Sequence, residues 1–410
     1  MPANEQREYD IVVWGASGFT GRLVVEYLAG KYPAGSSVHW AVAGRNADKL
    51  QTVLAEFTES AAEIPVLIAD SDDADSLANL ARSTRVVLTT VGPYAKFGSK
   101  LVQACVAHGT HYCDLAGEVQ WMRAMIDQHL PEAQKSGARI VHSCGFDSIP
   151  SDIGVYLLQQ EAVKQHGEPC SEVVLLVKAM KGGASGGTIA SMLNAIDQAR
   201  NDSQIARILV DPYALNPEGH RQGPDRRDQK SAVFNEDAGV WTGPFVMAAV
   251  NTRIVRRTNA LLDYPYGDDF RYSECSITGR GAGGWLKSAT MTAGLGAFML
   301  ASSYSFSRDQ IVRRLVPKPG EGPNAEQREN GFFNLKLIGK TRHGEMLRMT
   351  VKGDRDPGYG STSKMLAESA VCLAKDDLDI SGGFWTPASA MADRLSTRLT
   401  ENAGLSFELD

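Results

Sequence analysis

Apolar and polar residues follow a regular rhythm along the first 150 positions. Short, almost wholly apolar runs are separated by segments in which apolar residues recur every three or four positions. Such runs are typical of strands buried on both faces of a sheet, and such segments of the helices that cover it. The predicted strands are Asp10–Trp14, Val38–Ala43, Val66–Ala69, Arg85–Val91, Thr110–Leu115 and Arg139–Ser143, and the predicted helices lie near Thr20–Ala29, Asp48–Phe57, Asp72–Arg82, Phe97–His108 and Val119–Ser136. The predicted fold class is α/β, with residues 1–150 forming a doubly wound parallel sheet of the Rossmann type.

The pattern changes after Pro150. Helix Ser151–Lys164 and strand Glu172–Ala179 are predicted first, followed by a polar surface loop at 216–230 that is rich in Pro, Gly, Arg and Asp. Two later segments alternate apolar and polar residues, as paired strands with one buried face do: Phe332–Gly339 and Glu345–Lys352. These features predict a second, α+β domain over residues 151–355.

A last segment, residues 356–410, begins with a helical pattern at Gly360–Leu373. Its apolar residues are spaced as on an amphipathic helix. We expect this segment to return and pack on the first domain.

One uncharged stretch, Ser288–Ser307, is long enough to span a bilayer. Serines, threonines and glycines interrupt it, and the continuous apolar part covers only Ala293–Ala301. A buried helix at a pocket or subunit interface is the favoured interpretation, and a helix that contacts lipid is the alternative.

Glycines 15, 18 and 21 directly follow the first predicted strand and open the first helix, in the stretch DIVVWGASGFTG. Glycines there let the backbone approach a pyrophosphate, and the helix N-terminus offers unpaired N–H groups. The context of strand, glycine loop and helix, followed by further βα units, predicts a dinucleotide site.

The end of the second strand indicates which dinucleotide binds. Sites for NAD usually place an acidic residue there, whereas this strand continues into Gly44, Arg45 and Asn46. A guanidinium at position 45 suits the 2′-phosphate of NADP(H), which is therefore the predicted cofactor. Asp70, at the end of the third strand, is predicted either to contact the adenine or to cap the following helix.

Reactive groups are expected at the carboxyl ends of the strands, where ligands of such sheets bind. After strand four, Val91, Gly92 and Pro93 are predicted to pass beside the nicotinamide, with the Tyr94 phenol near it. After strands five and six come two further polar clusters, namely His111, Asp114 and Glu118, and then Cys144 and Asp147. For Asp147 and Ser148, capping of the next helix is an equally good interpretation.

Another unusual stretch is KGGASGGT, residues 181–188. Its glycines fit either a tight turn or close passage of a ligand, and in the second case Lys181 would hold a phosphate or polarise a carbonyl. A metal site is not predicted, because His108, His111 and Cys113 span a helix end and a strand and would not converge on one ion.

Composition narrows the class of protein. The chain has 410 residues, 43% of them hydrophobic, and a net charge of -6 that is spread along its length, so a nucleic-acid surface is disfavoured. Six cysteines lie far apart without a C-x-x-C pair, and no apolar signal sequence precedes Tyr9. The cytoplasm is therefore the expected compartment.

Several motifs occur in one order along nearly the whole chain: GASGFTG, AGRN, VGPYAKFG, GTHYCDLAGE, CGFDSIPSD, KGGASGGT, GYGSTSKMLAESA and GGFWTPASAM. This set resembles the saccharopine dehydrogenase-like oxidoreductases, and more closely their branch of trans-acting enoyl reductases. The resemblance implies an NADP(H)-binding Rossmann domain, a second domain for substrate and homodimer contacts, and reduction of a substrate double bond. By position it maps Ser17, Phe19 and Thr20, with the three loop glycines and Arg45, onto cofactor-binding motifs.

The resulting hypothesis is an NADPH-dependent reductase of an activated C=C bond in an acyl or polyketide-type substrate. Tyr94, Lys181 and Tyr359, the last between glycines in PGYGS, are the candidate groups to protonate or stabilise the enolate. One alternative is an oxidoreductase acting on a C–N bond, although no cluster of cationic residues for a carboxylate-rich substrate can be assigned. The other is a nucleotide-binding, lipid-associated protein without turnover.

Overall fold

The computed structural model describes residues 7–182, 186–303 and 322–410. By their internal contacts these residues form two compact units. Unit 1 comprises residues 7–147 and 358–404, with Gly322, and unit 2 comprises the described residues of 148–319, 323–357 and 405–410.

Strands and helices alternate through the first part of unit 1. In chain order they are β1 (Tyr9–Trp14), α1 (Phe19–Lys31), β2 (Trp40–Gly44), α2 (Ala47–Phe57), β3 (Val66–Ile68), α3 (Ala74–Ser83), β4 (Thr84–Thr89), α4 (Tyr94–Phe97), α5 (Ser99–Ala107), β5 (His111–Cys113), α6 (Val119–Ser136) and β6 (Arg139–Val141), with a short 3₁₀ turn at Ala61–Glu63.

The elements of unit 2 follow in the same way. They are α7 (Ile149–His166), β7 (Cys170–Lys181), α8 (Gly186–Asn201), α9 (Ser203–Val210), β8 (Val233–Asn235), β9 (Val240–Pro244), α10 (Ala248–Leu261), β10 (Arg271–Gly279), α11 (Gly281–Ser303), α12 (Ala325–Glu329), β11 (Phe332–Thr341) and β12 (Met346–Gly353). A π-helical turn, Pro357–Ser361, then leads back to unit 1, which contains α13 (Thr362–Lys375), β13 (Gly383–Trp385) and α14 (Pro387–Asn402). The last strand, β14 (Leu405–Leu409), belongs to unit 2.

Unit 1 contains a seven-stranded sheet in the order β13-β6-β5-β4-β1-β2-β3, and all its pairings are parallel. The central strand β1 is buried from Asp10 to Trp14, as expected for a strand covered on both faces. The predicted doubly wound parallel sheet is confirmed. The seventh strand, β13, comes from the C-terminal segment and pairs with β6, with Phe384 opposite Ile140.

Helix α13 differs from the amphipathic helix predicted at Gly360–Leu373. Almost every residue from Thr362 to Ala374 is buried, because α1, α14 and strands β1, β4 and β5 all pack against it. Its buried Glu368 accepts hydrogen bonds from the hydroxyls of Tyr27, at 2.6 Å, and Tyr32, at 2.9 Å. A polar residue is tolerated at this depth because its lone pairs are satisfied.

Unit 2 contains a mixed sheet in the order β14-β12-β11-β7-β10-β9-β8. Strands β7 and β10 are parallel, and the other pairings are antiparallel. The predicted second domain of mixed α and β structure is confirmed. None of the helices in the described ranges combines the length and the apolarity that a membrane span requires.

A buried carboxyl group lies on β10. Glu274 is 1% exposed and accepts hydrogen bonds from Asn251 Nδ2, at 2.9 Å, and the Tyr272 hydroxyl, at 2.8 Å. Ser148 donates to Asn251 Oδ1 at 3.0 Å, so its hydroxyl does not cap α7, which was one interpretation of the sequence. Burial raises the pKa of Glu274 to about 6.

This carboxyl group makes stability depend on pH. The pKa of an exposed glutamate is about 4.3, so the proton on Glu274 stabilises the folded state fully below about pH 4. The contribution, about 2 kcal/mol, is lost as the pH rises through 6. Urea unfolding at pH 4.5 and pH 7 should therefore show a larger fall in stability for the wild type than for Glu274→Gln, and equal falls would contradict this role.

Candidate functional site

The glycine loop between β1 and α1 is built for close approach to its backbone. Gly15 has φ +87°, and a Cβ there would lie 2.5 Å from Val91 Cγ2. A Cβ on Gly21 would lie 2.1 Å from the carbonyl oxygen of Gly15. Side chains are thus excluded at both positions, and the loop closes with the Gly18 N–H donating to Gly15 O at 2.9 Å.

The helix that follows begins directly at this loop. Gly18 is the N-cap of α1, and Phe19 and Thr20 form its first turn, where the N–H groups have no partner within the helix. Ser17 and Gly18 are exposed. An exposed, Cβ-free turn at a helix N-terminus fits the pyrophosphate of a dinucleotide.

Arg45 lies next to this loop by sheet pairing. It directly follows β2, whose Ala43 pairs with Trp14 of β1, and the Gly15 N–H donates to Ala43 O at 3.1 Å. Its side chain is exposed. An exposed guanidinium at this strand end fits the 2′-phosphate of NADP(H).

Two of the other predicted cofactor contacts have local roles in the structure. The Asn46 side chain caps α2 by accepting from the Lys49 N–H at 2.9 Å. Asp70 Oδ1 accepts from the Asp72 N–H at 2.9 Å, in a turn before α3, and Asp73 rather than Asp70 caps that helix. These hydrogen bonds give Asn46 and Asp70 a role in the local backbone structure. Contact of either residue with the cofactor stays a prediction.

The segment after β4 contacts the glycine loop through Val91 and continues through Gly92 and Pro93 into α4. Glu118 holds the start of α4, since its two carboxylate oxygens accept from the N–H groups of Tyr94, at 2.7 Å, and Ala95, at 3.2 Å. These bonds hold the chain three residues after Val91, which itself lies beside Gly15. The nicotinamide contact of residues 91–93 stays a prediction.

Tyr94 itself is deeply buried. Its hydroxyl donates to Thr89 O at 3.2 Å and accepts from the Leu115 N–H at 3.1 Å, and its ring stacks on Trp121. Burial raises the pKa of Tyr94 well above its ordinary value. These contacts give Tyr94 a structural role. Its predicted catalytic role would require the Tyr94 hydroxyl to transfer its proton to the substrate, and that role stays a prediction.

Tyr359 lies against the first turn of α1, which follows the glycine loop. Its ring meets that of Phe19 edge to face, with centroids 4.7 Å apart, and it is 3% exposed. It belongs to the π-helical turn that precedes α13, and such turns are frequent at functional sites. Of the three candidate catalytic groups, Tyr359 is thus the one that the described contacts bring to the first turn of α1, next to the glycine loop.

Lys181 belongs to unit 2. It ends β7 opposite Phe332 and is exposed. The glycine-rich stretch that follows it lies partly outside the described residues, which resume at Gly186. Its function stays a prediction.

The strand ends of β5 and β6 bring together a pair that the sequence analysis did not assign. Asp114 Oδ2 lies 2.7 Å from His142 Nδ1 and accepts from the Tyr112 hydroxyl at 2.9 Å. Asp114 Oδ1 accepts from the N–H groups of Ala116 and Ser143. His142, whose ring contacts Trp121 and Phe384, is 3% exposed, and its Nε2 has no partner among the described residues. The sequence feature that could have indicated this pair is that each of the two residues directly follows a strand of the sheet.

Two other candidates on or near strands β5 and β6, His111 and Cys144, are also buried or hydrogen-bonded to the backbone. Burial lowers the pKa of His111 to about 3, and its Nδ1 accepts from the Arg139 N–H. The Cys144 thiol is buried and donates to Val141 O. Within the described ranges, no three His, Cys, Asp or Glu side chains are grouped to hold a metal ion.

Three buried arginines on α10 also escaped the sequence analysis. Arg253 pairs with Asp228, Arg256 pairs with Asp225, and Arg257 donates to Leu215 O. All these partners lie in the polar segment before β8 or just ahead of it. The arginines therefore neutralise the two aspartates and anchor this segment within unit 2.

Comparisons with known proteins agree with this geometry. Residues 11–141 match the family model of the saccharopine dehydrogenase NADP-binding domain. A Mycobacterium tuberculosis protein provisionally named trans-acting enoyl reductase is 43% identical, over 98% of this chain and 97% of its own. The trans-acting enoyl reductase of Mycobacterium bovis is 39% identical, over 96% of both chains.

A solved structure shows the same fold at low sequence identity. Saccharopine dehydrogenase (L-Glu forming) from Saccharomyces cerevisiae superposes with a TM-score of 0.52, at 11% identity, over 98% of this chain and 99% of its own. With the NADP-binding domain matched, the protein is an NADP(H)-dependent oxidoreductase. It belongs to the saccharopine dehydrogenase-like oxidoreductase family, in the branch of the trans-acting enoyl reductases.

Proposed function

We propose that this protein uses NADPH to reduce the activated C=C bond of an acyl or polyketide-type substrate. The observation that carries the proposal is the similarity, from end to end of the chain, to proteins named trans-acting enoyl reductases. Sequence identity of 39–43% without truncation of either domain supports a shared reaction.

The residues of unit 1 would hold the cofactor and orient it. The glycine loop and the first turn of α1 would bind the pyrophosphate, Arg45 the 2′-phosphate, and residues 91–93 would lie along the nicotinamide. When bound, NADPH supplies the hydride that is added to the β-carbon.

The chain must also stabilise the enolate and deliver a proton to it. Tyr359 is the residue we favour for the proton, because its ring packs on Phe19 at the cofactor loop. Lys181 is a second candidate, and Tyr94 the third, with its hydroxyl bonded on both sides.

Two features of unit 2 support an acyl substrate over a carboxylate-rich amino-acid adduct. The buried arginines of α10 are engaged with Asp225, Asp228 and backbone carbonyls. A cavity beside α11 is lined mainly by apolar residues. A substrate with several carboxylates would need several cations, whereas Lys178 is the one cation among the described residues that line this cavity.

Turnover can be tested with a substrate panel. NADPH oxidation by the wild-type protein is expected with enoyl thioesters and not with saccharopine-type substrates. In the same assay, Tyr359→Phe should lower kcat and leave NADPH binding unchanged. Inactivity with every enoyl thioester would contradict the proposal. Activity with saccharopine-type substrates alone would assign the C–N bond instead.

Selectivity for the phosphorylated cofactor gives an independent test. Loss of the Arg45 guanidinium removes a charge-assisted hydrogen bond, so Arg45→Ala should weaken NADPH binding about tenfold more than NADH binding. Lys49→Ala, which removes an exposed cation from the first turn of α2, serves as the control for general charge loss. Equal losses for both cofactors in a fluorescence titration would remove the role of Arg45.

The remaining expectations concern assembly and location. We propose a cytoplasmic homodimer active in lipid metabolism, with contact between 288–307 and lipid as an alternative use of that stretch. The exposed side chains of Trp285, Leu286 and Leu300 on α11 support an apolar partner for this helix. Residues 304–307 lie outside the described residues.

A further inference from the structure

Unit 2 contains a cavity of about 410 Å³ between its sheet and α11. Its lining includes the end of β7 from Val177 to Met180, Phe245 after β9, Ser276 of β10, and Met291 and Leu295 of α11. Cavities of about 300–1,000 Å³ are the usual size of small-molecule sites.

The residues that line the cavity are complementary to an apolar ligand with one polar end. Lys178 is the one charged residue among the described residues that line the cavity, and Ser276 adds a hydroxyl. Since no carboxylate is among these residues, a neutral or anionic head group is favoured over a cationic one. Met180 and Met291 adapt easily to the shape of an alkyl group.

The cavity is bordered by apolar side chains that the described residues leave uncovered. Met180, Val246 and Met291 are 46%, 49% and 40% exposed. From Ser288 to Ser302, α11 has no charged residue on any side. Burying these side chains against an alkyl chain would remove apolar surface from water, which is favourable.

The β7 segment that lines the cavity gives a scale for the length of a ligand. Residues 177–180 of β7 span roughly 10 Å at the rise of a strand. This length exceeds that of a methyl or ethyl group but is short of a full membrane lipid. A linear chain of medium length would lie along the strand.

We propose that this cavity binds the alkyl chain of the acyl substrate, with Lys178 near its carboxylate or thioester end. The inference rests on the proposed enoyl reduction for the identity of the ligand. Its test uses binding alone, so the two can fail separately.

A chain-length series measures the cavity directly. Calorimetric titration of the full-length protein with saturated fatty acids of six to twelve carbons, each below its micellar concentration, should show affinity rising about fourfold per methylene. The rise should stop once the cavity is full. Decylamine should bind more weakly than decanoate, because Lys178 repels it. Affinity that does not depend on chain length, or stronger binding of the amine, would overturn the proposal.

Paired variants locate the binding. Met291→Trp fills the cavity and should reduce decanoate affinity at least tenfold, whereas Met299→Trp, on the same helix with 41% exposure and outside the lining, should not. Leu295→Gln against Leu300→Gln provides a second pair if the first variant is poorly folded. Equal losses in both members of a pair would overturn the assignment, and retained NADPH binding confirms that unit 1 is intact.

The two proposals are distinguished by their readouts. An intact chain-length series without turnover of any enoyl thioester would contradict the enoyl reaction alone. Turnover without chain-length dependence of binding would contradict the cavity alone.

Discussion

Gly21→Ala is expected to weaken NADPH binding about 100-fold. The added Cβ would lie 2.1 Å from the carbonyl oxygen of Gly15 and 2.9 Å from the Cα of Ala16. Both are backbone atoms that cannot rotate away, so the loop must move. Overpacking of this kind costs about 1–3 kcal/mol, and each 1.4 kcal/mol is tenfold in affinity. Fluorescence titration with NADPH measures the loss.

Gly30→Ala is the matched control on the same helix. Apart from the adjoining backbone of α1, no heavy atom of the described residues lies within 4 Å of a Cβ at this position. The substitution should therefore stabilise α1 by up to about 1 kcal/mol and leave NADPH binding unchanged. Wild-type affinity in Gly21→Ala would show that the cofactor does not depend on this loop.

Asp114→Ala is expected to lower the free energy of unfolding by about 3–5 kcal/mol. The carboxylate interacts with the Tyr112 hydroxyl, the His142 ring and two backbone N–H groups, and it is 0% exposed. Truncation would leave these polar groups buried without their partner. Denaturant unfolding followed by circular dichroism measures the loss.

Two further variants separate charge from position. Asp72→Ala removes a carboxylate whose side chain is 92% exposed and should change stability by less than about 0.5 kcal/mol. Asp114→Asn keeps the size but replaces one carboxylate oxygen by an amide NH₂, which disturbs the contacts of that oxygen only, so its effect should fall between the two. A loss for Asp114→Ala no larger than that for Asp72→Ala would contradict the structural role of Asp114.

The parallel sheet could be predicted because its signal is local. Strands such as IVV at 11–13 are continuous apolar runs, and each is followed by a helix pattern. Strand β13 could not be predicted in this way. Its sequence, GFW at 383–385, is only three residues long, and it forms a strand because β6, more than 240 positions earlier, lies beside it. The burial of α13 on all sides likewise depends on what surrounds it, so a local period suggested an amphipathic helix instead.

The candidate site divides in the same way. The positions of Gly15, Gly21 and Arg45 in the fold were predictable because backbone sterics and strand ends restrict which residue types suit them, and the binding role of Arg45 stays a prediction. The pairing of Asp114 with His142 depends on β5 and β6 being neighbours, which the order of strands in the chain does not specify. The buried pairs of α10 join residues about 25 to 31 positions apart across a segment that the sequence indicated only as a polar loop.

The return of the chain to each unit has a consequence for biosynthesis. Strand β13 and helix α13 complete unit 1, and β14 completes the edge of the unit 2 sheet beside β12. Residues 7–147 therefore leave the ribosome without the helix that covers β1, β4 and β5 and remain incomplete while some 210 further residues are made. Neither unit can finish folding before the last fifty or so residues are released, so the nascent first third of the chain exposes apolar sheet surface of the kind that chaperones bind.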